Sequence, residues 1–219
     1  MPDIAPSRST TRKPRGEGAS RRGEILAAAK QLFLDEGFEH ATLRRIAAMV
    51  GVSATSLYVW FPDKEAILHA LAETTFGELL VTLEASQDPA APLAERFRAG
   101  LRAYRNFALA RPDEYRLIFS KRLAKAVPGP QTDPCAGIDA ADRSFAVLEE
   151  IVRGLIAEGR LAPEEPAADP VALAETVWGC VHGVVLLVLD HAEHLETPGD
   201  TMFETLLGLL LPRGRALQS

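Results

Sequence analysis

From Ser20 onward the chain takes on a helical rhythm. Ile25, Leu26, Ala29, Leu32 and Phe33 recur at helical spacing, which predicts an amphipathic helix stopped by Gly37 after Glu36. Phe38 follows as the apolar residue that packs back on the helix end. Thr42 and Ser53 are placed to N-cap a second and a third helix, with Gly51 in the turn between them, where a positive φ costs glycine little. Ile46, Ala47, Val50, Val52 and Leu57 supply an inner face for Leu32 and Phe33. Asp63 as N-cap and Glu65 in the first turn open a fourth helix, which runs through Ile67, Leu71, Phe76, Leu79, Leu80 and Leu83 to about Ser86. Beyond it, Ala/Leu-rich helical segments over about 92–110, 112–126, 139–159, 169–193 and 200–211 alternate with Pro or Gly breaks. No stretch shows sustained two-residue alternation. The expected fold is therefore all-α with about nine helices. It comprises a disordered basic arm over 1–19, a three-helix unit over 20–64 and a larger helical domain over 65–219. No fixed-period repeat marks a solenoid.

Charge sharpens this division. The chain carries a formal net charge of −6. Residues 1–64 hold 10 Lys/Arg against 7 Asp/Glu (+3), leaving 14 against 23 (−9) for residues 65–219. A basic head on an acidic body still attracts phosphates, because potentials act within a Debye length of about 8 Å. In the arm, Arg8, Arg12, Lys13 and Arg15 are basic, but Arg21 and Arg22 are the better candidates for phosphate contacts. No signal peptide is visible, and the longest apolar run, Val184 to Leu189, is short of the roughly 20 residues that span a bilayer. A cytoplasmic protein is expected. Cys135 and Cys180 match no metal spacing and read as reduced and structural.

The segment Thr42 to Lys64 is a short helix, a Gly-centred turn and a second short helix opened by a hydroxyl residue. This is the helix-turn-helix pattern, whose second helix enters the DNA major groove. With Ala47, Gly51-Val52-Ser53, Leu57-Tyr58, Phe61, Lys64-Glu65 and Leu68, the stretch from Ile25 through Leu71 resembles the DNA-binding head of the tetracycline-repressor (TetR) family of bacterial transcription regulators. That resemblance implies base-edge contacts from Arg44, Ala54, Thr55 and Ser56, and phosphate contacts from Thr42, Tyr58 and Lys64. Arg44 alone of these has the bidentate geometry for guanine. Trp60 stands where a polar residue or His is expected; it either packs or extends the phosphate-facing surface.

The resemblance further implies a homodimer on a palindromic operator. Its seam is expected from helices about 169–193 and 200–211, whose Val177, Val181, Val184, Val185, Leu187 to Leu189, Phe203, Leu206, Leu207, Leu210 and Leu211 exceed what one buried face requires. Phe97, Tyr104, Phe107, Tyr115, Phe119, Phe145, Trp178 and His182 are candidates to line a pocket for a small apolar or aromatic effector. The Trp178…His182-Gly183 pattern is similar to a subset of the family. Any one of these residues, read alone, is better explained by core packing; it is for the group as a whole that the resemblance implies a pocket. The rival readings are an α-helical enzyme and an adaptor without DNA binding. Against the first, no nucleophile elbow, phosphate loop, metal-ligand spacing or paired carboxylates appears, and His191 with His194, conceivable as a surface metal site, reads better as solvated helix-end polar residues. Neither cofactor nor metal is expected. Against the second stand Tyr58 and Lys64.

Overall fold

The computed structural model describes residues 18–120, 138–161 and 169–211, with side chains from residue 21. Arg8, Arg12, Lys13, Arg15 and Cys135 lie outside them, as does the second half of the segment expected over 112–126. Among the described residues there are nine α-helices, one 3-10 turn and no strand. The chain divides into two compact units, 1–67 and 68–219.

The first unit contains α1 (Gly18–Glu36), α2 (Leu43–Val50) and α3 (Ala54–Tyr58). Helix α1 begins two residues before the boundary expected from sequence. Its inner stripe, Ile25, Ala29, Leu32 and Phe33, is buried together with Ile46, Ala47 and Leu57. Gly37 ends α1 at φ 80°, and Phe38 folds back edge-on against Phe33 with ring centroids 5.0 Å apart. Thr42 accepts from the Arg45 amide, 3.3 Å, and Ser53 from the Ser56 amide, 3.0 Å, so each hydroxyl satisfies a free first-turn donor.

Between these helices Gly51 is left-handed (φ 72°, ψ 31°), which lets the Val52 amide close on the Ala47 carbonyl at 2.9 Å. A side chain there is strained however much room it has. Gly51→Ala is expected to cost about 1–2 kcal/mol, a fall in Tm of about 2–8 °C. An unchanged thermal melt would show that the turn does not depend on the left-handed residue.

Helix α4 (Lys64–Ala85) is opened by Asp63, whose Oδ1 accepts from the Ala66 amide at 2.7 Å. The helix is continuous across the division between units. That division falls three residues after the boundary expected at 64/65, because the first turn of α4 is tied through Lys64 to the α1–α2 loop.

The second unit continues with α5 (Leu93–Ala110), α6 (Pro112–Ile118), α7 (Asp139–Ala157), α8 (Pro170–His191) and α9 (Gly199–Leu210). Helix α8 packs against α5, α7 and α9, burying Ala174, Val177, Val181 and Val185 on one face. Arginines fasten the neighbouring helices at their edges. Arg102 makes a two-bond fork with Glu204 (2.9 and 2.7 Å), Arg98 donates to the Leu207 and Leu211 carbonyls that end α9, and Arg116 joins α6 to Asp190 at 2.7 Å.

Among the described residues, two helices are long and apolar enough to cross a membrane by length and composition, although no uninterrupted apolar run suggested it. Lys64–Ala85 has a mean hydropathy of 1.3 and is half buried; Pro170–His194 reaches 1.9 with only 22% buried. The second figure records an apolar helix covered on one face and bare on the other.

Candidate functional site

In the first unit the buried and exposed residues of the helix-turn-helix separate cleanly. Leu57 and Phe61 are buried, whereas Arg44, Thr55, Ser56 and Tyr58 are exposed and Ala54 is half-buried. Helix α2 presents two arginines with different surroundings. Arg45 forks onto the Glu36 carboxylate at the end of α1, while the Arg44 side chain makes no hydrogen bond or ion pair among the described residues. Arg44 therefore projects an uncommitted guanidinium from the same element that Arg45 braces.

Lys64 departs from a simple anchor. Its ammonium donates to the Phe38 carbonyl at 2.9 Å and the Glu39 carbonyl at 3.4 Å and sits 4.5 Å from the centre of the Phe38 ring. It is a structural clasp of the α1–α2 loop as well as a cation at the start of α4. Arg21 and Arg22 are likewise engaged, the first with Glu24 at 2.6 Å and the second over the Phe61 ring. Trp60 does not bury itself: it is 39% exposed, and next to it Val59 is 81% exposed, so both extend the outer edge of α3.

The second unit contains a cavity of about 640 Å3 that is open to solvent at its mouth. Of the residues named in the sequence analysis, Phe97, Tyr104, Phe119, Phe145 and Trp178 line it. Phe107 does not; it is buried elsewhere beneath the Arg111 guanidinium, 4.8 Å from its ring centre. It follows Tyr104 by three residues on the same stripe of α5, but the cavity lining from this helix ends at Tyr104. Tyr115 and His182 do not line the wall either, but stand behind it in a hydrogen-bonded chain. Trp178 Nε1 donates to the Tyr104 hydroxyl (3.1 Å), the two tyrosine hydroxyls are 2.7 Å apart, and the Tyr115 hydroxyl lies 2.5 Å from His182 Nδ1.

The direction of that chain follows from protonation. Burial, reinforced by the adjacent Tyr104, pushes the Tyr115 phenol far above its ordinary range, so it stays a donor. Burial also lowers His182 below the usual imidazole value, so it is neutral at pH 7 and offers Nδ1 as an acceptor. The order Trp178 to Tyr104 to Tyr115 to His182 Nδ1 then satisfies every group with one proton each. The rings pack along the same path, Phe119 lying edge-on to His182 at 4.6 Å and tilted against Trp178 at 6.0 Å.

Residues that the sequence reading missed complete the wall: Phe76, Leu79 and Leu83 from α4, Gly100 and Leu101 from α5, Asp142, Ser144, Leu148 and Ile151 from α7, and Glu175 from α8. Spacing carried a signal for some of them, since Asp142 and Phe145 share a face of α7 and Glu175 lies one turn before Trp178. Aliphatic positions carried none, because a cavity wall and a core face have the same pattern.

A helix-turn-helix unit with an exposed second helix, followed by an all-helical unit around an aromatic cavity, defines a DNA-binding transcription regulator with a sensor domain. Residues 25–71 match the family model described as bacterial regulatory proteins of the tetR family, and residues 97–210 match the tetracyclin repressor-like C-terminal domain. The chain belongs to the TetR family. It is 30% identical over 177 residues to the HTH-type transcriptional regulator RutR of Escherichia coli K12, covering 78% of this chain and 76% of that protein. Among solved structures, a Rhodococcus sp. RHA1 protein of unknown function is 28% identical with a TM-score of 0.69, covering 91% of this chain and 100% of its own. AibR, crystallised with isovaleryl coenzyme A and operator DNA, shares the fold at 24% identity and a TM-score of 0.63, over 88% of this chain and 98% of its own. The family consists of regulators, not enzymes.

Proposed function

We propose that the protein is a cytoplasmic, ligand-released repressor that binds a palindromic operator as a homodimer, without a membrane stage. Arg44, Ala54, Thr55 and Ser56 read base edges; Thr42, Tyr58 and Lys64 hold phosphates. Tyr58 is 56% exposed beside the readers, which suits a phenol that reaches the backbone. Thr42 uses its oxygen as a cap, leaving its hydroxyl hydrogen for a phosphate oxygen. Lys64 spends part of its donor capacity on the Phe38 carbonyl, and its remaining hydrogen serves the operator.

The observation that carries the effector reading is the cavity, walled in part by α4, the helix whose first turn belongs to the head. An effector seated against Phe76, Leu79 and Leu83 acts on α4 and through it on the spacing of the recognition helices, a coupling of about 1–3 kcal/mol in typical cases. AibR, with both a ligand and an operator in one structure, supports such a pairing of sites.

The bare face of α8 and the outer face of α9 form the dimer seam. Leu209 is 74% exposed and Leu187 41% exposed, and Gly179 and Gly183, four apart, leave room for a second helix to approach closely. Sedimentation and gel shift on the same samples test this. The wild type is expected to run at twice the chain mass of 23.7 kDa and to shift a palindromic fragment. Leu209→Glu is expected to shift the population to single chains and to weaken the palindrome at least about tenfold while keeping its helical spectrum. A monomeric wild type that still shifts the palindrome would reject the paired-head reading.

A further inference from the structure

We infer that the cavity takes a lipophilic organic cation, an aromatic-bodied ammonium or its like, rather than a neutral or anionic molecule. This rests on the reading of the cavity as the effector site and adds the charge of its occupant.

The walls set the shape of the argument. Six aromatic side chains, Phe76, Phe97, Tyr104, Phe119, Phe145 and Trp178, line the cavity. Their polar atoms are already committed: the Trp178 indole N–H goes to Tyr104, and the Tyr104 hydroxyl to the chain ending at His182. The Ser144 hydroxyl donates to the Ala140 carbonyl at 2.7 Å. What these residues present to an occupant is therefore aromatic surface without a free polar donor, and each ring that meets the occupant by its face attracts a cation and repels an anion.

Two carboxylates complete the wall. Asp142 and Glu175 both line the cavity and are exposed, and neither side chain makes an ion pair or hydrogen bond among the described residues. The neighbouring Arg143 does not neutralise Asp142, since it turns to Glu84 at 3.7 Å and Asp139 at 3.9 Å. No Lys, Arg or His is among the described lining residues. A cation with an apolar body satisfies both halves of this wall, with its rings against the aromatics and its charge compensated by the carboxylates. An anion such as the coenzyme A thioester held by AibR would meet two like charges at the cavity mouth.

Fluorescence of Trp178 reports occupancy directly. The chain has two tryptophans, so a Trp60→Phe background makes Trp178 the sole emitter. Three probes of related shape are titrated: tetraphenylphosphonium (cation), triphenylphosphine oxide (neutral) and tetraphenylborate (anion). The cation is expected to quench saturably and to bind about tenfold or more tighter than the neutral probe, with no saturable quenching by the anion. The double variant Asp142→Asn/Glu175→Gln is expected to bring the cation to the affinity of the neutral probe while leaving the latter unchanged. Neutral or anionic binding as tight as that of the cation, or a double variant that keeps the preference, overturns the inference and leaves the effector-site reading standing. Absence of quenching by all three overturns both.

Discussion

Arg44→Ala is expected to weaken operator binding by about 1–3 kcal/mol, roughly 5- to 150-fold, and to flatten discrimination at one base pair of each half-site. The magnitude is that of a bidentate guanine contact, and the guanidinium is available because nothing within the described protein competes for it. Arg45→Ala is the internal control. Its side chain is exposed and basic too, but it forks onto Glu36, so its loss should loosen the packing of α2 on α1 without changing which base is preferred. Tyr58→Phe removes one hydroxyl from an exposed ring and should weaken all sequences alike. Gel shifts on the operator and on variants carrying each base substitution separate these cases. Unchanged affinity and preference in Arg44→Ala would remove this residue from the readers, and the same result in Tyr58→Phe would end its assignment as an anchor. Lys64→Ala is a poor discriminator, since it also releases the carbonyls of Phe38 and Glu39.

The second large effect belongs to Tyr115. Its side chain is fully buried, so Tyr115→Ala is expected to destabilise the sensor domain by about 3–5 kcal/mol through lost burial and a cavity. Tyr115→Phe should cost only about 1 kcal/mol, because Tyr104 lies 3.2 Å from His182 Nδ1 and can donate there in its place. The same chain predicts a pH dependence. Because burial lowers His182 below its unfolded value of about 6.5, both states are neutral above that pH and the group adds no pH slope there. As pH falls below about 6.5, the unfolded chain takes up a proton that the folded chain refuses, and stability falls by up to about 1.4 kcal/mol per pH unit. Urea midpoints at fixed protein concentration should therefore drop between pH 7.5 and 5.5, and His182→Asn, which keeps an acceptor but cannot titrate, should flatten the drop. Equal slopes in wild type and variant would assign the dependence to other groups.

Most of the head was legible in the sequence because its determinants are local. A hydroxyl cap, a left-handed glycine and an apolar residue one turn away act within a few residues, so Thr42, Gly51, Ser53 and Asp63 could be assigned their backbone roles without a partner in view. The sensor domain was legible only in part. Helical spacing places Trp178 and His182 on one face and Tyr104 and Phe107 one turn apart, but it does not say which of a pair turns into a cavity. Phe107 turned away and Tyr104 turned in. Asp142 and Glu175 went unnoticed because an exposed carboxylate on a helix looks the same in sequence whether it borders solvent or a cavity mouth.

By itself the sequence determined the all-α class, the helix-turn-helix with its caps and the family, since periodicity, capping and spacing are properties of short stretches. Only the tertiary structure decided that Arg45 is braced while Arg44 is not, that Lys64 clasps a loop, and that a proton-ordered chain runs from Tyr104 in the cavity wall to Tyr115 and His182 behind it. Each of those depends on residues 9 to 78 positions apart being brought within hydrogen-bonding distance, and no local pattern encodes which distant group will arrive.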